Sequence, residues 1–484
     1  MWTLDYEALP GAMPVYRRII RHVEDAVASG RLAPGERLPA ERTLARLLGV
    51  NRSTIIRALE DLGDRGILLR RRGSGTYVNK EKWGVQSYAR LNWQTPPALL
   101  PAGKAGPFHR EAAVLREEAA RTGRTLYDLS RDDLAPELLP AISFPEASWD
   151  ALVRAERGGE ASHLGLPAFR RAVARFLRET VGFSVPLEDI LITSGSRQAI
   201  FLITQCLLRA GDAVGVEAPS YCYSLPVFQA AGLRLCALPM DEEGITLEGL
   251  EQAASRRSLK MVFLNPVFQN PTGRAMPAAR KKAVLAFCAA ARIPIVEDDA
   301  YSLLAFDAGA SGASRNNGNG GTGGRDVTPL KAWDAGSQVM YAGSLSSYAG
   351  RNIRAGWLVA PPGVIGRLAG ARHMMDAGLS VLPQVLAGEY LERVAASHLP
   401  RLRAELARRA EALGRFLRDR FGESLAFSLP AGGLYVYAVA RDSGRKDYAE
   451  LQRALLRCGL IPALGEDFGD ARPSFRLNCS FFSG

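Results

Sequence analysis

Four short constellations in this chain carry side chains suited to holding an anionic, ring-bearing ligand. Thr193-Ser194-Gly195-Ser196-Arg197 joins an apolar run to a helical one. Backbone N–H groups at a helix start, with hydroxyls beside them, can cradle a phosphate. Taken alone this segment says little, because strand-Gly-helix turns are common. Asn270-Pro271-Thr272-Gly273 follows the apolar run 261–264 and by itself is only a turn. Asp298 follows the apolar run 293–296, with Tyr301 three positions on. A carboxylate at a strand's carboxyl end can pair with a protonated ring nitrogen, or it can simply cap a helix. Ser344 and Ser346 follow the run 339–342, with Arg354 close behind. Hydroxyls with a guanidinium again suit a phosphate.

A different chemistry is suggested near the start. Arg52, Ser53, Thr54 and Arg57 fall on the first turns of a predicted helix over 52–64, away from its apolar stripe of Ile55, Leu59 and Leu62. Asn51 is placed to cap it. A helix over 40–48 precedes it, opened by Pro39 and closed by Gly49, and another spans 16–29. Two short helices joined by a turn make a helix-turn-helix, whose second helix lies in the major groove of DNA. Residues 67–78 read as a hairpin in which three arginines, Arg70 to Arg72, precede Gly73 and Gly75. Arginines there would supply the salt-dependent part of affinity, and the glycines a close approach to the duplex. By periodicity alone, a small helical domain with an ordinary basic surface fits as well.

The elements that must position these groups follow from length and rhythm. A chain of 484 residues implies two or three domains. Its 47% hydrophobic and 23% charged residues are those of a soluble globular protein. No run reaches about 18 apolar residues, so no membrane span is expected, and the first ten residues do not read as a signal peptide. The net charge of +11 permits a polyanionic partner without proving one. Six cysteines without a CxxC pair suggest reduced thiols in a cytosolic protein, and five scattered histidines offer no metal site. The expected domains are 11–80, a linker over 81–125 with a helical stretch at 111–120, and 126–484. Within the last, short apolar strands alternate with amphipathic helices, which implies an α/β domain with a largely parallel sheet. Residues 309–325, GASGASRNNGNGGTGGR, are a low-complexity insertion expected to be disordered. From about 388, arginine-rich helices lead into a small α+β subdomain.

The wording of these segments adds to their spacing. LPAERTLARLLGVNRSTIIRALEDLGDRGIL followed by GSGTYV resembles the winged helix of GntR-family regulators throughout its length. That resemblance implies DNA contacts from Arg42, Arg52, Ser53, Thr54 and Gly75, beside Arg57, Arg71 and Arg72 from position. In order, the four constellations resemble fold-type I pyridoxal-phosphate aminotransferases over about 127–480. The resemblance implies phosphate contacts from Gly195, Ser196, Arg197, Ser344, Ser346 and Arg354. It implies that Tyr221, in APSY, stacks on the pyridine ring, Asn270 and Tyr301 hold its hydroxyl, and Asp298 holds its nitrogen. Arg476, in FRLNCS, would clamp a substrate carboxylate. A GntR winged helix fused to an aminotransferase-like domain is the layout of MocR-type regulators. That layout implies a homodimer, a double-stranded DNA operator with paired half-sites, and a small-molecule effector.

The chain departs from the family at the residue that does its chemistry. The family's Schiff-base lysine falls on Ser347, and no lysine occurs between Lys331 and Lys446. A serine hydroxyl can neither form that bond nor shuttle the α-proton, so ordinary transamination is not expected. Glu160 stands where the family often has a tyrosine reaching the partner's phosphate, and a carboxylate there would repel it. Relatives usually continue into a final helix past the position of Gly484, so a trimmed small domain is expected. Three readings of the large domain stay open: pyridoxal phosphate or its amino-acid adduct held without a covalent bond, a different anionic or amino-acid ligand, or a dimerisation scaffold alone. A working transaminase with an accessory DNA-binding domain is the alternative function.

Overall fold

Apolar side chains three and four residues apart build the first unit. The computed structural model describes residues 14–28, 32, 35–71, 73–79, 106–143, 163–306, 327–441 and 445–484. Arg72, Glu160, the insertion 309–325 and the stretch 80–105 lie outside those residues. The chain divides into two units, Met1–Gly103 and Lys104–Gly484. In the first, helix α1 (Val15–Ala28) buries Ile19, Val23 and Val27 against Ile55, Ala58 and Leu62 of helix α3 (Arg52–Asp64). Each such burial is worth about 1.5–3 kcal/mol. Helix α2 (Glu41–Leu47) adds Leu44 to the same core. Between α2 and α3, Gly49 takes a left-handed φ of +64°, which a side chain would strain. Asn51 is the N-cap of α3 by position, but its side chain makes no capping hydrogen bond. Strands β1 (Leu68–Arg71) and β2 (Gly75–Val78) pair antiparallel as the wing. The segment before α2 runs along β2: Leu38 N–H donates to Thr76 O and Val78 N–H to Glu36 O, both at 2.9 Å.

The second unit opens with helix α4 (Pro107–Thr122), which falls wholly inside the expected linker 81–125 and extends its helical stretch at 111–120. Phe108 and Ala112 pack it into the main core of this unit. Its sparse apolar positions hide that role in the sequence. A short strand β3 (Tyr127–Asp128) pairs parallel with Leu460–Ile461, and the central sheet contains β4 (Ile190–Thr193), β5 (Ala213–Ala218), β6 (Arg234–Asp241), β7 (Gly244–Ile245), β8 (Met261–Leu264), β9 (Ile295–Asp299), β10 (Val339–Ser344) and β11 (Gly356–Val359). Their spatial order is β4-β11-β10-β9-β8-β5-β6-β7. Strands β10, β9, β8, β5 and β6 run parallel. Strand β11 is antiparallel to both neighbours. The segment 345–355 returns directly to the sheet without the crossover that a parallel strand needs. A second sheet, of 425–427, 435–440, 474–478 and 463–464, is packed by the helix Ala395–Phe421, which buries Leu402, Leu406, Leu413 and Leu417.

Two glycines set how closely β11 approaches the turn after β4. A Cβ on Gly356 would lie 2.6 Å from the carbonyl oxygen of Gly343 and 2.7 Å from Cα of Gly195. Both neighbours are backbone and cannot swing away. Gly356→Ala is therefore expected to cost about 1–3 kcal/mol through overpacking and to push the 193–197 turn outward. Chemical denaturation checks the first part. An unchanged unfolding midpoint would refute it.

Candidate functional site

The carboxyl ends of the parallel strands, where ligands bind in open α/β sheets, surround a cleft with about 810 Å³ of empty space including its mouth. Gly195, Ser196, Arg197, Tyr221, Asn270, Asp298, Tyr301, Ser344, Ser346, Arg354 and Arg476 all line it, and so does Ser347. The tertiary structure thus brings together every cleft residue named from the sequence. It adds Asp132, Asp133, Ser224, Ala300 and Arg351. None of the described lysines lines the cleft.

One end is cationic. The turn Thr193 to Gly195 is pinned by the Thr193 hydroxyl, which donates to Gly195 O at 3.0 Å. Gly195 has φ +109° and starts the helix Ser196–Cys206, whose first turn receives no side-chain cap. The unmet N–H groups of a helix start attract anions. Ser344 donates to Ser346 across 3.1 Å beside it. Arg354 sits in the left-handed region at φ +46°, an uncommon conformation for a non-glycine residue. Its pKa is lowered by burial and by the charges of Arg197 and Arg351. Arg197 itself is ion-paired with Asp132, and Arg351 lies 3.3 Å from Asp133.

The centre is a buried acid. Asp298, the penultimate residue of β9, is 6% exposed, and its Oδ1 has no hydrogen-bond partner among the described residues. The Tyr221 hydroxyl donates to its other oxygen at 2.5 Å. Burial pushes the Asp298 carboxyl up to about 6, against the pull of the Tyr221 and Ser196 hydroxyls and of the Arg197 charge. Asn265 donates to the carbonyl of Asp298 at 2.7 Å and accepts the N–H of Asn270, also at 2.7 Å. Gln269 bonds the Glu217 carboxylate at 3.2 Å and takes both donors of Thr272. Burial raises Glu217 to about 7. Asn265, Gln269 and Glu217 were not anticipated. A lone acid inside the apolar strand β5 was the one available signal.

The far end is a buried guanidinium. Arg476 is 3% exposed and lies between the rings of Tyr435 and Phe468, at 4.4 and 4.8 Å. It donates to Asn270 Oδ1 at 3.0 Å and to the carbonyls of Ser130 and Arg131 at 2.7 and 3.3 Å. Its Nε is without a partner, and no acid pairs with it among the described residues. Tyr301 meets the Tyr435 hydroxyl at 3.2 Å. The cleft can therefore hold a ligand anionic at one end, with a cationic or proton-donating ring over Asp298 and a second anionic group toward Arg476.

In the first unit, Arg42, Arg52, Arg70, Arg71 and Gly75 line one concave surface, joined by Arg37, which the sequence did not single out. Ser53 is exposed and Thr54 half-buried on the first turn of α3. Arg57 is drawn over the Tyr16 ring at 4.1 Å, and Arg71 over Tyr77 at 5.4 Å. A Cβ on Gly75 would lie 2.9 Å from the Arg37 Nε, so the wing and the segment before α2 meet there.

A winged helix followed by an aminotransferase fold defines a class of two-part transcription regulators. The chain belongs to the aminotransferase class I and II family, whose model matches residues 151–480, and it carries the domain of the gntR family of bacterial regulatory proteins over residues 15–78. It is 31% identical to the HTH-type transcriptional regulator YisV of Bacillus subtilis over 97% of this chain and 93% of that protein. It is 32% identical to the regulator YdfD of the same organism over 88% and 84%. Among solved structures, the kynurenine aminotransferase of Pyrococcus horikoshii is 25% identical, covers 76% of this chain and 90% of its own, and superposes with a TM-score of 0.61. No helix among the described residues is long and apolar enough to cross a membrane.

The raised carboxyl of Asp298 has a consequence for stability. The folded chain holds this proton more tightly than the unfolded chain, so stability falls as pH rises from about 4 to about 6. Asp298→Asn removes that contribution. Its unfolding free energy relative to the native chain is expected to rise by about 1–3 kcal/mol between pH 4 and pH 7. Urea titrations at the two pH values measure the change, and an equal difference at both would contradict the assignment.

Proposed function

We propose that this chain is a cytoplasmic, homodimeric DNA-binding regulator whose aminotransferase-like unit senses a ligand and performs no ordinary transamination. What supports the second half is Ser347, which lines the cleft past the end of β10, at the position to which the resemblance assigns the family's lysine. The residues fit pyridoxal phosphate held without a covalent bond. Arg197, Arg354, Ser344, Ser346 and the 195–197 helix start would bind its phosphate, and the unpartnered oxygen of Asp298 its ring nitrogen. Tyr221 would stack on the ring, with Asn270 and Tyr301 at the ring hydroxyl. Arg476 would receive the carboxylate of an amino acid. Bound there, the group would supply an electron sink, but Ser347 offers no amine to move the α-proton. A ligand of this kind regulates only if it binds one arrangement of the dimer better than another. Exposed Met374, Met375 and Leu382 support a covered face on this unit.

Toward DNA, α3 would enter the major groove with Arg52, Ser53 and Thr54 at its start. Arg42, Arg57, Arg71, Arg72 and Gly75 would approach the backbone of a double-stranded operator. The kinship with transcriptional regulators over nearly the whole chain supports this half of the reading.

Titration of the purified chain with pyridoxal phosphate, beside Ser347→Lys, tests the cleft. Saturable quenching of protein fluorescence is expected in both, with borohydride trapping only in the lysine variant. Absence of binding in both would turn attention to other anions or to a structural role. Amino-group transfer by the native chain would overturn the proposal. For the DNA face, Arg71→Ala is expected to weaken all duplexes alike and to reduce the slope of log K against log salt by roughly one unit. An unchanged slope would remove Arg71 from the interface.

A further inference from the structure

We propose that Glu41 is a positioning residue that aims the DNA-facing arginines and discriminates against non-specific duplex. This rests on the DNA-binding reading of the first unit. Glu41 opens α2, and its side chain is only 16% exposed. Its Oε2 accepts from Arg52 Nε at 3.3 Å and Nη2 at 3.0 Å. Its Oε1 accepts from Arg70 Nη2. Arg52 is the first residue of α3, and Arg70 belongs to wing strand β1. The three elements that make the DNA surface therefore meet on one carboxylate. Among the described residues lining that surface, Glu41 is the single acid, set among Arg37, Arg42, Arg52, Arg70 and Arg71.

Two effects follow from that placement. An isolated exposed ion pair stabilises little, but here one half-hidden carboxylate holds two guanidiniums that would otherwise repel each other. Arg52 donates through Nε and one Nη, which fixes the plane of its fork and leaves the second Nη directed away from Glu41. A fork of fixed direction can select a base edge. Conversely, a phosphate that recruits Arg52 or Arg70 must displace a carboxylate already bound to both. Non-specific binding, which depends on phosphate neutralisation, then draws on fewer of the five arginines than line the surface.

The full chain and Glu41→Gln, a near-isosteric change, are compared on poly(dI-dC) across a potassium chloride series and by selection from a pool of random duplexes. The variant is expected to bind poly(dI-dC) roughly three- to tenfold more tightly at low salt. Its log–log salt slope should be steeper by about one to two units, as the two released arginines neutralise phosphates. Its preference within the selected pool should fall by about tenfold, the weight of one base contact. In the double variant with Arg52→Ala, the loss of preference should be no greater than for Arg52→Ala alone. An unchanged slope with an unchanged selected sequence overturns the proposal. So does an additive loss in the double variant, which would set Glu41 apart from Arg52. A native chain that retains no duplex at all would instead overturn the DNA-binding reading itself, and this inference with it.

Discussion

A carboxylate is buried at the carboxyl end of the central parallel sheet, and one of its oxygens has no partner. Taking Asp298 out of water raises its proton affinity. The fold offers it the Tyr221 hydroxyl, the neighbouring Ser196 hydroxyl and the charge of Arg197. The surroundings are arranged around that unmet demand. Asn265 ties the backbone of Asp298 to the 265–273 loop, and Gln269 ties the same loop to Glu217 on β5. The strands that meet here are held in register by parallel ladders, so the acid cannot withdraw from the cleft without unpairing β9. A buried acid with a free oxygen is costly unless a cationic or donating group completes it. This is the physical reason to regard the cleft as a binding site.

The two ends of the cleft solve the opposite problem. Arg197, Arg351 and Arg354 crowd together near the helix start, and Asp132 and Asp133 offset part of their charge. Arg476 has no acidic partner among the described residues and is held by carbonyl oxygens and two aromatic faces. On the proposed reading, such a site would keep the parts that recognise a bifunctional anion while Ser347 would remove the part that reacts with it. Recognition and reaction would then be separable because they would reside on different residues. Binding would draw on charge and shape spread over several loops, whereas reaction would depend on one amine.

The same economy holds in the winged helix. Its core is ordinary apolar packing, yet its outer face gathers arginines from the segment before α2, from α3 and from the wing. Like charges held so close need either a counter-charge or a polyanion. Glu41 supplies the first in the free protein, and DNA would supply the second. Tyr16 and Tyr77 hold two further guanidiniums through ring contacts.

The sequence by itself determined the order and kind of the elements. Apolar spacing placed α1 to α3 and the wing, and the runs ending in Gly195, Asn270, Asp298 and Ser344 marked the strand ends that converge on the cleft. Local patterns suffice there because burial follows periodicity within one element. The resemblance carried by those runs, more than any spacing, identified Ser347 as the departure. Only the tertiary structure decided what lies between elements distant in sequence. Helix α4 looked like linker because its two core anchors are few. The direction of strand β11 stayed open in a sheet expected to be largely parallel, because a buried run has no direction until its partners are known. Asp132, Arg351 and Glu41 gave no signal of their own. An acid or an arginine reads as solvated surface until the fold sets its counter-charge beside it, and that pairing is a property of three-dimensional proximity, which sequence spacing does not encode.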